Sequence, residues 1–101
     1  MIAQIPEPLF ELGRVVATEA ALQSIKDSGQ EVDGFLNRHV HGDWGILSEM
    51  DAMKNDEALA TGDRIFSTYR TDNGTKFWII TEPADDDGDR QLTTILLPSE
   101  Y

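Results

Sequence analysis

Two β-prone runs joined by a tight turn are the feature that most constrains how this chain folds. Residues 64–71 are rich in β-branched and aromatic side chains, and residues 76–82 read Lys-Phe-Trp-Ile-Ile-Thr-Glu. The Asn73-Gly74 pair between them tolerates the positive φ angles of a type I′ turn, so the pattern predicts an antiparallel hairpin. After an acidic loop, residues 91–98 form a third β-prone run. The sequence therefore predicts an antiparallel three-stranded meander.

Helical periodicity dominates the chain before this meander. A short β-prone run over residues 12–17 comes first. Thr18 then suits the N-cap of a helix over residues 19–28, and Gly29 suits its end. A second helix is predicted over residues 31–40, because its apolar residues recur at i, i+3, i+4 and i+8 on one face. These residues are Val32, Phe35, Leu36 and Val40.

A third helix is predicted to begin after Ser48, in a capping-box pattern, to reach about residue 60 and to end at Gly62. Met50 and Met53 are expected to supply part of its buried face. An N-terminal strand and three helices followed by an antiparallel meander define an α+β two-layer domain.

The length of the chain indicates a single domain. Its 101 residues are assigned to one unit, residues 1–101. Residues 1–10 contain two prolines and show no periodicity, so they are expected to form an irregular N-terminal arm.

The charge of the chain is its strongest global property. Nineteen acidic residues against eight basic ones give a formal net charge of −11 at pH 7. Such a field repels phosphate backbones, so no direct binding of nucleic acid is expected. The simplest interpretation of the charge is solubility. It also favours partners with basic surfaces, including the Lys/Arg grooves of nucleic-acid-binding proteins.

Several classes of protein are excluded by what the sequence lacks. It has no cysteine, which excludes disulfides and thiolate metal sites. No apolar run approaches the roughly 18 residues of a membrane span, and the N-terminus lacks the basic and apolar regions of a signal peptide. We therefore expect a cytoplasmic protein with no membrane contact and no cofactor.

The densest chemistry lies in Arg38-His39-Val40-His41-Gly42-Asp43-Trp44-Gly45, which holds both histidines and one of the two tryptophans. His39, His41 and Asp43 are a conceivable metal group. Their i, i+2, i+4 spacing straddles the predicted end of a helix, however, so the side chains need not converge. The expectation is therefore no metal site: Asp43 caps the next turn, Trp44 plugs the edge of the core, and the histidines are exposed.

Acidic residues concentrate in the third helix and in the loop before the last strand. The loop alternates aspartates in the manner of a calcium loop, but it offers neither the Gly at position 6 nor the Glu at position 12 that an EF-hand needs. A soluble hairpin tip is the simpler interpretation of the loop. We expect both segments to bind a partner protein, because charges held on a helix keep a fixed spacing. The predicted binding residues are Glu49, Asp51, Asp56, Glu57, Asp85, Asp86, Asp87 and Asp89.

An RNase-like toxin, or an inactive relative of one, is the alternative function. Small ribonucleases with helices before an antiparallel sheet use a base, a phosphate-binding arginine and hydroxyl donors on the sheet. The residues available for these roles are His39, His41, Arg64, Ser67, Tyr69 and Thr94. In a strand, however, Arg64 and Tyr69 would point to opposite faces, and an acidic chain repels RNA.

Four motifs occur together between residue 12 and Tyr101. They are Leu12-Gly13-Arg14-Val15-Val16-Ala17-Thr18, the histidine-rich segment above, Phe77-Trp78-Ile79-Ile80-Thr81-Glu82 and Thr93-Thr94-Ile95-Leu96-Leu97-Pro98-Ser99-Glu100-Tyr101. In this combination the chain from Phe10 onward resembles a family of small bacterial proteins of plasmids, phages and other mobile elements. These are labelled plasmid-related or hypothetical proteins, and sometimes type I restriction subunits. The order of elements also resembles the barnase, EndoU, colicin and RelE group of small nucleases, at the level of fold alone.

The charge, the small size and this resemblance together favour a non-enzymatic accessory protein of a mobile element. We expect it to bind a basic protein surface, such as that of a nucleic-acid-binding effector complex. In this interpretation it inhibits a host defence system, as anti-restriction or anti-CRISPR proteins do.

Overall fold

Residues 7–101, which the computed structural model describes, form an α+β fold with the predicted order of elements. The strands are β1 (Arg14–Ala17), β2 (Ile65–Arg70), β3 (Lys76–Thr81) and β4 (Leu92–Leu96). The helices are α1 (Glu19–Asp27), α2 (Val32–Val40) and α3 (Glu49–Thr61), and a 3-10 turn, Pro98–Glu100, follows β4. The predicted fold class is confirmed. Of the predicted irregular arm, residues 7–10 contain no helix or strand, and residues 1–6 lie outside the described part of the chain.

The sheet is mixed rather than purely antiparallel. β2, β3 and β4 form the predicted antiparallel meander, in which Ser67 lies opposite Ile79 and Ile79 lies opposite Ile95. The N-terminal strand β1 lies beside β4 and runs parallel to it, which gives the strand order β1-β4-β3-β2. The sequence predicts β1 but not its partner, because pairing between segments at opposite ends of a chain leaves no local pattern.

Side-chain caps mark where α1 and α3 begin. Thr18 Oγ1 accepts a hydrogen bond from the Ala21 N–H at 3.2 Å, and Ser48 Oγ accepts one from the Asp51 N–H at 3.1 Å. α3 ends at Gly62, whose φ of 83° is left-handed and favours glycine. Within residues 7–101, no helix has the length and apolar character needed to cross a bilayer.

The core lies between the helices and one face of the sheet. Ile25 of α1 and Phe35 of α2 are buried there, and the Phe35 ring packs edge-on against Phe77 of β3, with 4.8 Å between centroids. The opposite face carries Trp78, which Tyr101 covers at 5.6 Å between ring centroids. The helices therefore form one layer and the sheet forms the other.

The buried face of α3 differs from the prediction. Met50 and Met53 point to solvent, with 70% and 62% of their surface exposed, whereas Asn55 and Ala58 are buried. Asn55 Nδ2 donates to the Phe66 carbonyl oxygen at 2.6 Å, and Asn55 Oδ1 accepts from the Phe66 N–H at 3.1 Å. β2 is an edge strand, and an amide supplies partners to its backbone groups that a methionine cannot. The prediction that both methionines face inward is therefore wrong.

We expect Asn55→Ala to lower the free energy of unfolding by about 2–3 kcal/mol. The change removes both hydrogen bonds to Phe66 and leaves two backbone groups of a partly buried strand edge without partners. Urea denaturation measures the loss. Asn37→Ala, at an exposed position of α2, is the matched control and should change stability by less than about 0.5 kcal/mol. An equal loss in the two variants would contradict the role given to the Asn55 amide.

Candidate functional site

Of the two histidines at the end of α2, His39 is buried and His41 is half-buried. His39 lies in the last turn of α2 and is 0% exposed, so the expectation that the histidines are exposed is wrong for this residue. Phe10 covers its ring edge-on, with 5.1 Å between centroids. The signal was present in the sequence, because His39 follows Phe35 by four residues and Val32 by seven, which places it on the apolar face of α2.

A chain of hydrogen bonds runs through the core from His39. Thr93 Oγ1 donates to the Leu12 carbonyl oxygen at 2.7 Å, so it must accept the 2.8 Å bond from Thr81 Oγ1. Thr81 in turn accepts from His39 Nε2–H at 2.9 Å, which leaves His39 Nδ1 to accept from the Ser67 hydroxyl at 2.5 Å. Every hydroxyl in this chain thus has a defined direction, and the imidazole is the neutral Nε2–H tautomer.

The protonation state of His39 follows from the same burial. Burial lowers the pKa of His39 to about 3, because the imidazolium would lose its hydration, and the nearby positive charge of Arg90 adds to the effect. Both ring nitrogens are engaged in hydrogen bonds, so none is left for a metal ion. Within residues 7–101, no group of three or more His, Asp or Glu side chains is placed to hold a metal.

The turn after α2 is organised by Asp43 and Trp44, as expected. Asp43 Oδ1 accepts the Gly45 N–H at 3.2 Å, and Asp43 Oδ2 lies 2.8 Å from Arg38 Nε in an ion pair. This hydrogen-bonded pair lowers the pKa of Asp43. Trp44 is 6% exposed and packs at the edge of the core. The Tyr69 hydroxyl donates to the Asp43 carbonyl oxygen at 2.6 Å, so this residue of β2 fixes the position of the turn.

Three of the residues considered for a ribonuclease site lie in the core. Ser67 and Tyr69 lie on the face of β2 that the helices cover, together with His39. The Ser67–His39 bond joins a hydroxyl to an imidazole, which is the arrangement that nucleophilic catalysis uses. Both side chains are 0% exposed, however, so a substrate cannot reach the pair. Its hydrogen bond instead satisfies two polar groups inside the core.

The other three residues considered for that site lie elsewhere. Thr94 lies opposite Ile80, on the face of the sheet that the helices leave uncovered, and Arg64 donates to the Tyr101 hydroxyl there at 2.6 Å. His41 forms the C-cap of α2, and its Nδ1 donates to the Asn37 carbonyl oxygen at 2.7 Å. The six residues are therefore divided between two faces of the sheet and a helix end, and they do not form one site.

The two acidic segments predicted to bind a partner lie next to each other. The Ala84 N–H donates to the carbonyl oxygen of Gly62, the C-cap of α3, at 2.8 Å. A cleft of about 530 Å³ lies between the end of α3, the loop and Phe10. The acidic residues that line it are Glu11, Asp85, Asp86 and Asp89.

The acidic residues of α3 differ in what they contact. Glu49, Asp51, Asp56 and Glu57 are all exposed. Glu49 and Asp51 lie in the first turn, where the helix dipole favours negative charge. Asp56 Oδ1 accepts the Trp44 Nε1–H at 3.2 Å, which gives Asp56 a structural contact. Glu57 lies two residues before Leu59, the first residue of α3 that lines the cleft.

Asp85 organises the acidic loop. Its Oδ1 accepts the backbone N–H groups of Asp87 at 3.0 Å and Asp89 at 2.9 Å, and its Oδ2 accepts Gln91 Nε2–H at 2.8 Å. These bonds, that from Asp89 foremost, lower the pKa of Asp85. The loop is thus a closed turn whose remaining carboxylates, including that of Asp86, are exposed.

Arg90 is a residue of this region that the sequence reasoning missed. Its buried guanidinium donates to the carbonyl oxygens of Ala58, Asp63 and Glu82 at 2.8–3.0 Å, and it lies over the Phe10 ring at 5.7 Å. It therefore joins the end of α3, the start of β2 and the end of β3 beneath the acidic loop. The only sequence signal was a single arginine that closes an acidic run.

Comparison of the chain with protein-family models, with curated proteins and with solved structures finds no match. The resemblance to proteins of mobile elements therefore stays a prediction.

Proposed function

We propose that this chain is a non-enzymatic acidic protein that binds the basic surface of a partner protein and inhibits a nucleic-acid-binding defence complex. The observation that carries the proposal is the contact between α3 and the 84–90 loop. Two acidic segments that are separate in sequence border one cleft, and the Ala84–Gly62 hydrogen bond joins them. The carboxylates that line this cleft are those of Glu11, Asp85, Asp86 and Asp89, and Glu57 of α3 lies two residues before Leu59 at its border.

The physical basis of the proposal is competition with phosphate. A groove lined by lysine and arginine that receives a nucleic acid backbone also attracts an array of carboxylates, and opposite charge raises the rate of encounter. The bonds to Asp85 and Arg90 hold the acidic loop in one shape. A surface held in this way loses less conformational entropy on binding than a mobile loop would.

The choice of target class has separate support. The resemblance of four motifs to proteins of plasmids and phages favours a host defence complex, of the restriction or CRISPR type, as the partner. Such complexes handle nucleic acid and carry the basic grooves that an acidic protein fits.

Two charge reversals of equal size test the proposal. The cleft variant carries Glu57→Lys, Asp86→Lys and Asp89→Lys. The control variant carries Glu31→Lys, Asp33→Lys and Asp72→Lys, at exposed positions near the hairpin turn. This turn and the acidic loop lie at opposite ends of β3, so the variants have the same net charge and differ only in where it changes.

We expect the unmodified protein and the control variant to capture the same basic protein from a bacterial lysate, identified by mass spectrometry. With that protein purified, the cleft variant should associate at least about tenfold more slowly at low salt and show a flatter salt dependence. Its far-ultraviolet circular dichroism should be unchanged, because surface substitutions usually cost little stability. Equal on-rates and salt slopes in the two variants would contradict the proposal. RNA cleavage by the purified protein would favour the ribonuclease alternative.

A further inference from the structure

Apolar side chains lie on the outer face of α3, where a solvated helix normally carries polar ones. Met50 and Met53 are 70% and 62% exposed, and Ile46, in the segment that leads into the helix, is 54% exposed. The two methionines are three residues apart and share one helical face, which points away from the buried Asn55. Apolar groups that cluster on an exposed face mark interaction surfaces.

Carboxylates border these methionines. Glu49 and Glu57 lie four residues before and after Met53, so they are its neighbours on the helix surface. Lys54, the only basic residue among the thirteen of α3, lies four residues after Met50 and is likewise its neighbour. We call Met50, Met53, Glu49 and Glu57 the methionine face. Its centre is apolar, and the charged side chains next to it, two carboxylates and the Lys54 ammonium group, sum to a negative charge.

We propose that the methionine face binds an amphipathic helix of the partner protein, with an apolar stripe bordered by lysine or arginine. This inference rests on the proposed function, because it assumes a basic partner. α3 has 13 residues and is therefore about 20 Å long, enough to lie along about four turns of another helix. Methionine side chains are unbranched and adapt to the shape of what they contact, so they suit a stripe of varied apolar residues.

Charge complementarity selects this occupant over two others. An anionic bilayer surface would be repelled by Glu49 and Glu57. A second copy of the chain, packed face to face about a twofold axis, would bring the same carboxylates towards each other. A helix with a basic border would place lysine or arginine next to Glu49 and Glu57 while its apolar stripe covers the two methionines.

The test uses two synthetic peptides of about 15 residues, made of leucine and lysine. In the amphipathic peptide the leucines recur at helical spacing, and in the scrambled peptide the same residues have no period, so charge is equal and only the apolar stripe differs. Calorimetry with the whole chain gives Kd, and the methyl NMR signals of Met50 and Met53 report where the peptide lies. We expect the amphipathic peptide to bind at least about tenfold more tightly and to shift both signals.

Two variants locate the binding surface. Met50→Gln with Met53→Gln keeps good helix formers at both positions, and we expect it to remove the preference for the amphipathic peptide without changing the thermal midpoint. Leu9→Gln is the matched control, because Leu9 is also 54% exposed but lines the cleft; it should keep the preference.

Other outcomes separate this inference from the proposed function. Equal binding of both peptides, weakened by the cleft charge reversal, would overturn the inference and support the acidic surface. Loss of the preference in Leu9→Gln but not in the methionine variant would place the peptide in the cleft and also overturn it. Absence of binding by both peptides at low salt would contradict the inference and the proposed function together.

Discussion

Gly45→Ala is expected to lower the free energy of unfolding by about 4 kcal/mol or more. Gly45 has a φ of 76° and pairs with Thr68 in an isolated parallel bridge. A Cβ atom there would overlap the Thr68 carbonyl oxygen and lie 2.7 Å from Tyr69 Cδ1. The backbone would have to withdraw from β2, which would break the hydrogen bonds from the Ile46 N–H to Thr68 and from the Thr68 N–H to Trp44.

Gly74→Ala is the matched control for this prediction. Gly74 has a φ of 89°, yet an added Cβ would meet no atom within 4 Å. Its cost should be that of the left-handed backbone alone, about 1–2 kcal/mol. Urea denaturation of both variants measures the difference. If the two lost the same stability, the close approach of Gly45 to β2 would not be what requires glycine there.

The second large effect is a loss of stability as the pH falls below about 6.5. The pKa of His39 is about 3 in the folded protein, whereas a histidine in an unfolded chain titrates near 6.5. Between these values the unfolded chain binds a proton that the folded chain does not, so acid favours unfolding. The stabilisation is complete above the unfolded pKa and declines towards pH 3. About 2 kcal/mol is lost by about pH 5, and the full loss is about 5 kcal/mol.

His39→Gln tests where this pH dependence originates. The variant should be less stable at neutral pH, because the hydrogen-bond chain from Ser67 to Thr93 is interrupted. The decline between about pH 7 and about pH 5 should largely disappear, since most carboxyl groups titrate below this range. His41→Gln leaves the hydrogen-bond chain of His39 intact, so the free energy of unfolding of this variant should still decline between about pH 7 and about pH 5. If the free energy of unfolding of His39→Gln declined with falling pH as steeply as that of the unmodified protein, another group would be responsible for the decline.

The sequence by itself determined most of the secondary structure of this protein. The turn at Asn73-Gly74, the cap at Thr18 and the stop at Gly62 act within a few residues of where they occur. Alternation in the hairpin strands likewise needs no distant partner, and it correctly placed Arg64 and Tyr69 on opposite faces. Composition also determined which residues are acidic and therefore which can attract a basic partner.

Only the tertiary structure decided which residues of these elements are buried and which are exposed. The free edge of β2 needs hydrogen-bonding partners, so α3 turns Asn55 inward and Met50 and Met53 outward, against the hydrophobic pattern. Likewise, His39 is buried because Ser67 and Thr81 reach it from two strands. The adjacency of α3 and the acidic loop depends on contacts between distant segments. Such contacts leave no local sequence pattern, because each is stabilised by groups that are far apart along the chain.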